Sequence, residues 1–231
     1  DHSGYLPLLM KQGFRGRIYS SEATMDLCRI LLPDSARLAE EDADRANRHG
    51  YSKHKPALPL YTERDAQMAL EHFVTVPFAH DFEPAPSLKV RFARAGHILG
   101  AATARVSDGR QSLVFSGDLG RSHDSIMHAP EPVSRADFLV VESTYGDRYH
   151  DKTDPERELA SVISRTVARG GTVVIPAFAV GRTQALMFSI ARLKAAKKIP
   201  ADLPVYLNSP MAEDVTDIYN RHHGEHRLSD K

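Results

Sequence analysis

The sequence has no tryptophan, a single cysteine and no excess of charge of either sign. The one cysteine, Cys28, cannot form a disulfide within the chain, which favours a reducing compartment, and we expect a cytoplasmic protein. Since 30 basic residues balance 30 acidic ones, any contact with nucleic acid must come from a local patch. No apolar run approaches the roughly 20 residues of a membrane span, so we expect an ordinary globular protein.

Apolar residues recur at helical spacing in the first part of the chain. The run around Cys28 predicts a helix in which this thiol is buried and structural rather than reactive. Ser21 can cap that helix, and a second, charged helix is predicted from Asp34 to about His49. A short helix over 5–12 and a helix that begins with the capping-box pattern at 62–65 are also predicted.

The middle of the chain changes to the alternating pattern of strands. Residues 88–92, 101–105 and 111–115 alternate in this way, and Asp108-Gly109 predicts a hairpin turn. An apolar strand over 137–141 follows, and helices and strands then alternate, which favours a parallel sheet with crossover helices. The elements predicted there are a helix over 154–168, a strand over 172–176, a helix over 181–198, a strand over 205–208 and a helix after Pro210. We therefore predict two domains, 1–147 and 148–231.

Four segments put a metal-binding side chain at a strand end or in a glycine-flanked loop. They are Asp1-His2, Gly-His-Ile-Leu-Gly at 96–100, Ser-Gly-Asp-Leu-Gly at 116–120 and Glu-Ser-Thr-Tyr-Gly at 142–146. Glycines let the backbone approach a ligand closely, and imidazole and carboxylate groups both bind cations. Each segment alone is better explained as an ordinary loop or turn.

The order of these segments resembles the metallo-β-lactamase superfamily and, within it, the β-CASP group of nucleases. In that family a His-x-His-x-Asp-His motif precedes a lone histidine and a bridging aspartate, which Asp1-His2, His97 and Asp118 would match in turn. The strings at 142–146, 175–184 and 208–212 are also similar to this group. The resemblance is strongest to bacterial and archaeal relatives of the cleavage and polyadenylation endonuclease subunit.

The resemblance implies a fold, an activity and a set of site residues. The implied fold is α/β, with part of a metallo-β-lactamase αβ/βα sandwich followed by the first half of a β-CASP domain. The implied activity is hydrolysis of RNA phosphodiester bonds with two zinc ions and an activated water. The implied metal ligands are Asp1, His2, His97 and Asp118, the implied catalytic residues are Asp1 and Glu142, and the implied substrate-binding residues are Arg182, Ser209 and His150.

The family pattern also places histidines before Asp1 and beyond Lys231, so the chain looks like an internal fragment. Because zinc sites need about four ligands each, we expect weak or no metal binding and no activity from this piece alone. Its incomplete domains predict unpaired sheet edges and therefore self-association, as a homodimer or larger aggregate. Two alternatives remain open: a catalytically silent β-CASP scaffold subunit, and a hydrolase of this fold that acts on DNA or thioesters.

Several of the remaining residues have a structural interpretation beside the functional one. Arg182 opens a helix and either holds a phosphate or is simply exposed there, whereas Ser209 is slightly better explained as a helix cap. The basic segment 51–56 is a solvated surface or a contact for a nucleic acid backbone. The histidines at 222, 223 and 226 are expected to be mostly solvated, at the frayed end of a helix.

Overall fold

The computed structural model describes residues 2–149, 151 and 153–228. It divides into two compact units, one ending at Glu142 and the other beginning at Ser143. The predicted domain boundary, between 147 and 148, lies close to this division. None of the helices in the described ranges is long and apolar enough to cross a membrane.

The first unit contains helices and two sheets. Its helices are α1 (Leu6–Lys11), α2 (Glu22–His49) and α3 (Glu63–Glu71). Its strands are β1 (Ile18–Ser20), β2 (Phe73–Thr75), β3 (Asp81–Ala85), β4 (Leu88–Arg94), β5 (Ala102–Ser107), β6 (Ser112–Phe115) and β7 (Phe138–Val140). Strands β1 and β2 form a parallel pair, and β3 to β7 form a five-stranded sheet in chain order.

Helix α2 corrects the prediction of two separate helices, because it runs unbroken for 28 residues through Pro33. A proline inside a helix costs about 3 kcal/mol relative to alanine. Residues on both sides of it, Cys28, Leu32 and Ala36, belong to one buried apolar cluster. Burial of a leucine side chain stabilises a fold by roughly 1.5–3 kcal/mol, so packing of this face offsets the proline.

Two predicted capping groups have the expected geometry. The Ser21 hydroxyl accepts a hydrogen bond from the Thr24 N–H at the start of α2. At the start of α3, the Thr62 hydroxyl accepts from the Asp65 N–H while the Asp65 carboxylate accepts from the Thr62 N–H, which is the reciprocal capping box. These caps satisfy backbone donors that have no partner within the helix.

The large sheet begins as antiparallel hairpins and ends with a parallel strand. Strands β5 and β6 pair from Ser107 with Ser112, and the predicted Asp108-Gly109 turn joins them. The Asp108 carboxylate accepts the N–H groups of Arg110 and Gln111, and these bonds hold the pKa of Asp108 below its usual range. Strand β7 pairs parallel to β6 and is the last strand of the sheet, with its residues exposed.

The second unit packs three helices, α4 (Pro155–Val167), α5 (Arg182–Ala195) and α6 (Pro210–Arg221), and ends in the 3-10 turn His223–Glu225. The predicted strands over 172–176 and 205–208 are wrong as assigned, since no strand occurs in the described part of this unit. A strand needs a hydrogen-bonded neighbour, and within that part these segments pair with none. Val174 and Tyr206 are accordingly 85% and 86% exposed.

Candidate functional site

His97 lies in a closed loop between β4 and β5. The Ala95 N–H donates to the Ala101 carbonyl across 3.0 Å, which ties the two ends of the loop together. Gly96 has a φ of +68°, and a Cβ at this position would lie 2.4 Å from the His128 carbonyl oxygen. The backbone before His97 is therefore packed against a neighbouring segment at a distance that only glycine allows.

Asp118 lies in the loop that follows β6, and this loop contacts the His97 loop directly. The Gly120 N–H donates to the Ala95 carbonyl across 2.8 Å. A Cβ at Gly120 would lie only 1.9 Å from the Gly96 carbonyl oxygen. These glycines let the two loops approach closely, and the contact fixes the position of Asp118 relative to His97.

The structure brings His2, His97 and Asp118 together. The Nε2 of His2 is 3.6 Å from Oδ1 of Asp118, and the Nε2 of His97 is 3.8 Å from Oδ2 of the same carboxylate. Each imidazole thus approaches a different oxygen. Two ligand atoms on one tetrahedral zinc ion, each about 2.0–2.1 Å from the metal, lie about 3.3 Å apart. Both N–O distances are therefore close to the separation expected for an imidazole and a carboxylate oxygen that bind the same ion.

The donor types at this position suit zinc, but the described residues do not complete a site. Imidazole nitrogen and carboxylate oxygen are the ligands of open zinc centres. Among residues 2–149, 151 and 153–228, no three His, Cys, Asp or Glu side chains form a group that could hold a metal ion alone. Asp1, the remaining predicted ligand, lies outside the described residues.

Glu142 is attached to the Asp118 loop by its side chain and its backbone. Its Oε1 accepts the Leu119 N–H across 2.8 Å, and its own N–H donates to the Ser116 hydroxyl across 3.0 Å. The Ser116 N–H in turn donates to the Val140 carbonyl of β7. The carboxylate is therefore held beside the residue that follows Asp118. This hydrogen bond gives Glu142 a structural role, and its catalytic role stays a prediction.

Of the predicted substrate-binding residues, Arg182 and Ser209 lie in the second unit and His150 lies outside the described residues. Arg182 is exposed at the first turn of α5, after Gly181 with a φ of +77°. Ser209 is the N-cap of α6, and its hydroxyl accepts the Ala212 N–H. The cap interpretation of Ser209 is confirmed, and phosphate binding by either residue stays a prediction.

The buried Gln184 was not singled out from the sequence. Its side-chain oxygen accepts the Gly181 N–H, and its amide nitrogen donates to the Ala179 carbonyl and to the Thr216 hydroxyl of α6. A glutamine that bonds three groups in this way fixes the start of α5 against α6. Its position three residues after a helix-opening glycine is the signal that could have identified it.

The prediction that the last histidines are solvated is wrong for His226. This side chain is only 5% exposed, its Nε2 bonds the Tyr219 carbonyl, and its Nδ1 accepts the Leu228 N–H. The ring also stacks on Tyr219 at a centroid distance of 5.4 Å. His226 therefore fastens the end of the described chain to α6.

Comparison with known proteins identifies one domain family and several relatives. The Beta-Casp domain family matches residues 183–231. Over 96% of its length the chain is 32% identical to "Ribonuclease TTHA0252" of Thermus thermophilus, and it covers 47% of that protein. It is 31% identical over 95% of its length to "Cleavage and polyadenylation specificity factor 73" of Drosophila melanogaster, covering 30% of it. It is 32% identical over 96% of its length to "Transcription termination factor FttA" of Methanosarcina mazei, covering 33% of it.

The chain thus spans about half, or less, of the length of these relatives. The matches nevertheless run through both units, and they include the loops that carry His97 and Asp118. Residues 183–231 belong to the Beta-Casp domain family, and the chain as a whole is similar to proteins of the β-CASP group.

Proposed function

We propose that this protein is a zinc-dependent hydrolase that cleaves phosphodiester bonds in RNA. The observation that carries the proposal is the arrangement of His2 and His97 on the two oxygens of Asp118. The names of relatives from bacteria and eukaryotes, a ribonuclease and an endoribonuclease among them, support RNA as the substrate class.

The residues divide into those that hold metal and those that hold the ligands in place. His97 would hold one zinc ion, Asp1 and His2 would hold a second, and Asp118 would contribute to both. When bound, zinc acts as a Lewis acid on a phosphate oxygen and makes water nucleophilic near neutral pH. As ligands, the imidazoles of His2 and His97 must be neutral, so acid weakens their binding.

Backbone contacts between the His97 loop and the Asp118 loop hold the candidate ligands in place. The Gly120 N–H bond to Ala95 holds the Asp118 loop, and the Leu119 N–H bond holds the Glu142 carboxylate next to it. Rigid placement of ligands lowers the reorganisation needed in the transition state. We assign Glu142 to steadying a proton donor for the leaving oxygen, and Asp1 to orienting the attacking water.

Arg182, Ser209 and His150 are proposed to contact substrate. Arg182 is exposed at the first turn of α5, where its guanidinium suits a phosphate. For the 231 residues alone we propose weak zinc retention and no cleavage, because the described residues lack a closed ligand group. We also propose that the isolated chain self-associates through its exposed apolar strand.

The test is cleavage of labelled single-stranded RNA by the intact protein, with single-stranded DNA and a thioester as comparison substrates. We expect RNA cleavage that a chelator removes and zinc restores, and a loss of at least about 100-fold in His97→Ala. His80→Ala and Glu83→Ala, both at exposed positions, are the matched controls and should cleave normally. An inactive wild-type protein would favour the scaffold subunit, and preferred cleavage of DNA or thioester would replace RNA in the proposal.

A further inference from the structure

One stretch of the first unit is strongly basic although the whole chain is neutral. Between Asp44 and Glu63 the sequence has no acidic residue, and it carries Arg45, Arg48, Lys53 and Lys55. The residues 48–55, here called the basic tract, follow the last turn of α2 and are irregular after Gly50. The proposed catalytic residues all lie elsewhere, so the basic tract has no role in the function proposed above.

The basic tract has three Arg and Lys side chains. Arg48, Lys53 and Lys55 are exposed, and in the described part of the chain none of them forms an ion pair or a side-chain hydrogen bond. Arg45, by contrast, lies 3.8 Å from Asp42. A cation in the last helical turn, such as Arg48, complements the helix dipole, but Lys53 and Lys55 lie beyond that turn.

The segment that contains the basic tract is fixed to the fold although it lacks regular structure. The Asn47 side chain donates to the Ala57 carbonyl and accepts the Ala57 N–H, at 2.9 and 2.7 Å. Further along, Lys11 Nζ donates to the carbonyls of Pro59 and Leu60. A partner that binds the tract therefore pays less conformational entropy than it would for a free loop.

An aromatic side chain lies among these cations. Tyr51 is 65% exposed and has no hydrogen-bond partner in the described structure. Cations that follow a phosphate backbone, together with an aromatic ring on which a base can stack, are the combination found in single-strand binding grooves.

We propose that the basic tract binds the backbone of single-stranded RNA, with Tyr51 stacked on a base. The choice of RNA rests on the function proposed above. The opposite end of α2 touches the His97 loop, since the hydroxyls of Ser21 and Thr24 both donate to the Gly100 carbonyl. A helix of 28 residues at 1.5 Å per residue is about 42 Å long, so the basic tract is an accessory site remote from the candidate metal ligands.

The test measures binding of fluorescein-labelled oligouridylate to the intact protein by fluorescence anisotropy. All variants carry Asp118→Ala in addition, so that RNA is not consumed during the titration. For Lys53→Ala/Lys55→Ala we expect weaker binding and a slope of log K against log salt that is shallower by about 1.4, since each phosphate contact on single strands contributes about 0.7. Tyr51→Ala should weaken binding at least about fivefold, and Tyr51→Phe should retain it.

The matched control is Lys89→Ala/Arg110→Ala, which removes the same charge from exposed positions of the sheet and should bind as the parent does. An unchanged affinity and salt slope in Lys53→Ala/Lys55→Ala would overturn the proposal. Displacement of RNA by polyglutamate at equal charge concentration would also overturn it, in favour of an acidic protein partner. This experiment measures RNA binding only. A protein that binds RNA through the basic tract but does not cleave it would contradict the proposed function and not the proposal made here.

Discussion

The N–H of Gly120 donates to the carbonyl of Ala95 across 2.8 Å, and this bond joins the loop of the candidate bridging aspartate to the loop of the candidate histidine ligand. It forms because neither Gly96 nor Gly120 carries a side chain at the crossing, where a Cβ on Gly120 would lie 1.9 Å from a carbonyl oxygen. The relative positions of His97 and Asp118 therefore depend on a backbone contact as much as on their own side chains.

Gly120→Ala should force these loops apart. We expect a loss of about 1–3 kcal/mol in unfolding free energy, together with weaker zinc retention, because the added methyl meets backbone that cannot move alone. Urea denaturation and zinc content of the intact protein measure both effects. Gly224→Ala is the control, since a Cβ there meets no atom within 4 Å. Equal stability and equal zinc content in the two variants would contradict this account of the crossing.

Glu142→Gln separates the structural role of Glu142 from its proposed catalytic role. The amide oxygen of glutamine can still accept the Leu119 N–H, so the thermal midpoint should stay near that of the wild type. The negative charge is lost, and we expect kcat to fall at least about tenfold with a changed pH profile. A normal kcat and pH profile in Glu142→Gln would leave Glu142 with the structural hydrogen bond alone.

Asp137 should make stability depend on pH at the acidic end. Hydrogen bonds from the N–H and hydroxyl of Ser112 hold the pKa of Asp137 below its ordinary value of 3.8. Because the pKa is lower in the folded protein, the ionised carboxylate stabilises the fold above about pH 4. This stabilisation is lost as the pH falls further. We expect the free energy of unfolding, measured with urea, to fall less between pH 6 and roughly pH 3 in Asp137→Asn than in the wild type. A loss of the same size in both would contradict the assignment.

The isolated chain should self-associate through strand β7. This last strand of the large sheet exposes apolar residues on both faces, with Leu139 59% and Phe138 56% exposed. An exposed apolar edge strand is a template for pairing with another chain. Size-exclusion chromatography with light scattering should show dimers or larger species, which Leu139→Lys reduces. Leu58→Lys, at an exposed position outside the sheets, is the control, and a monomeric wild-type chain would refute the prediction.

Local signals in the sequence predicted much of the fold. Ser21, the Thr62 capping box and the Asp108-Gly109 turn act through neighbouring residues, and all three were predicted correctly. Pro33 misled the prediction because its cost is offset by packing between residues distant in sequence. The segments at 172–176 and 205–208 have strand-like composition, but strand formation depends on a partner that composition does not reveal.

In the candidate site, too, the sequence predicted the residues but not the tertiary contacts between them. Motif order and the family resemblance identified His2, His97 and Asp118, which the structure brings together. They could not show which oxygen each imidazole approaches, nor that the Leu119 N–H bonds the Glu142 carboxylate. Those facts depend on how the two loops cross, which results from tertiary packing of glycines that are ordinary turn residues in the sequence.

The most direct test of the account is the zinc content of the intact protein and of Asp118→Ala after dialysis against buffered zinc. If Asp118 joins two ions through its two oxygens, the wild-type protein should retain two zinc ions per chain and Asp118→Ala should lose zinc from both positions. His80→Ala, at an exposed position of the same unit, should retain the wild-type amount. Equal zinc content in Asp118→Ala and the wild-type protein would contradict the central claim.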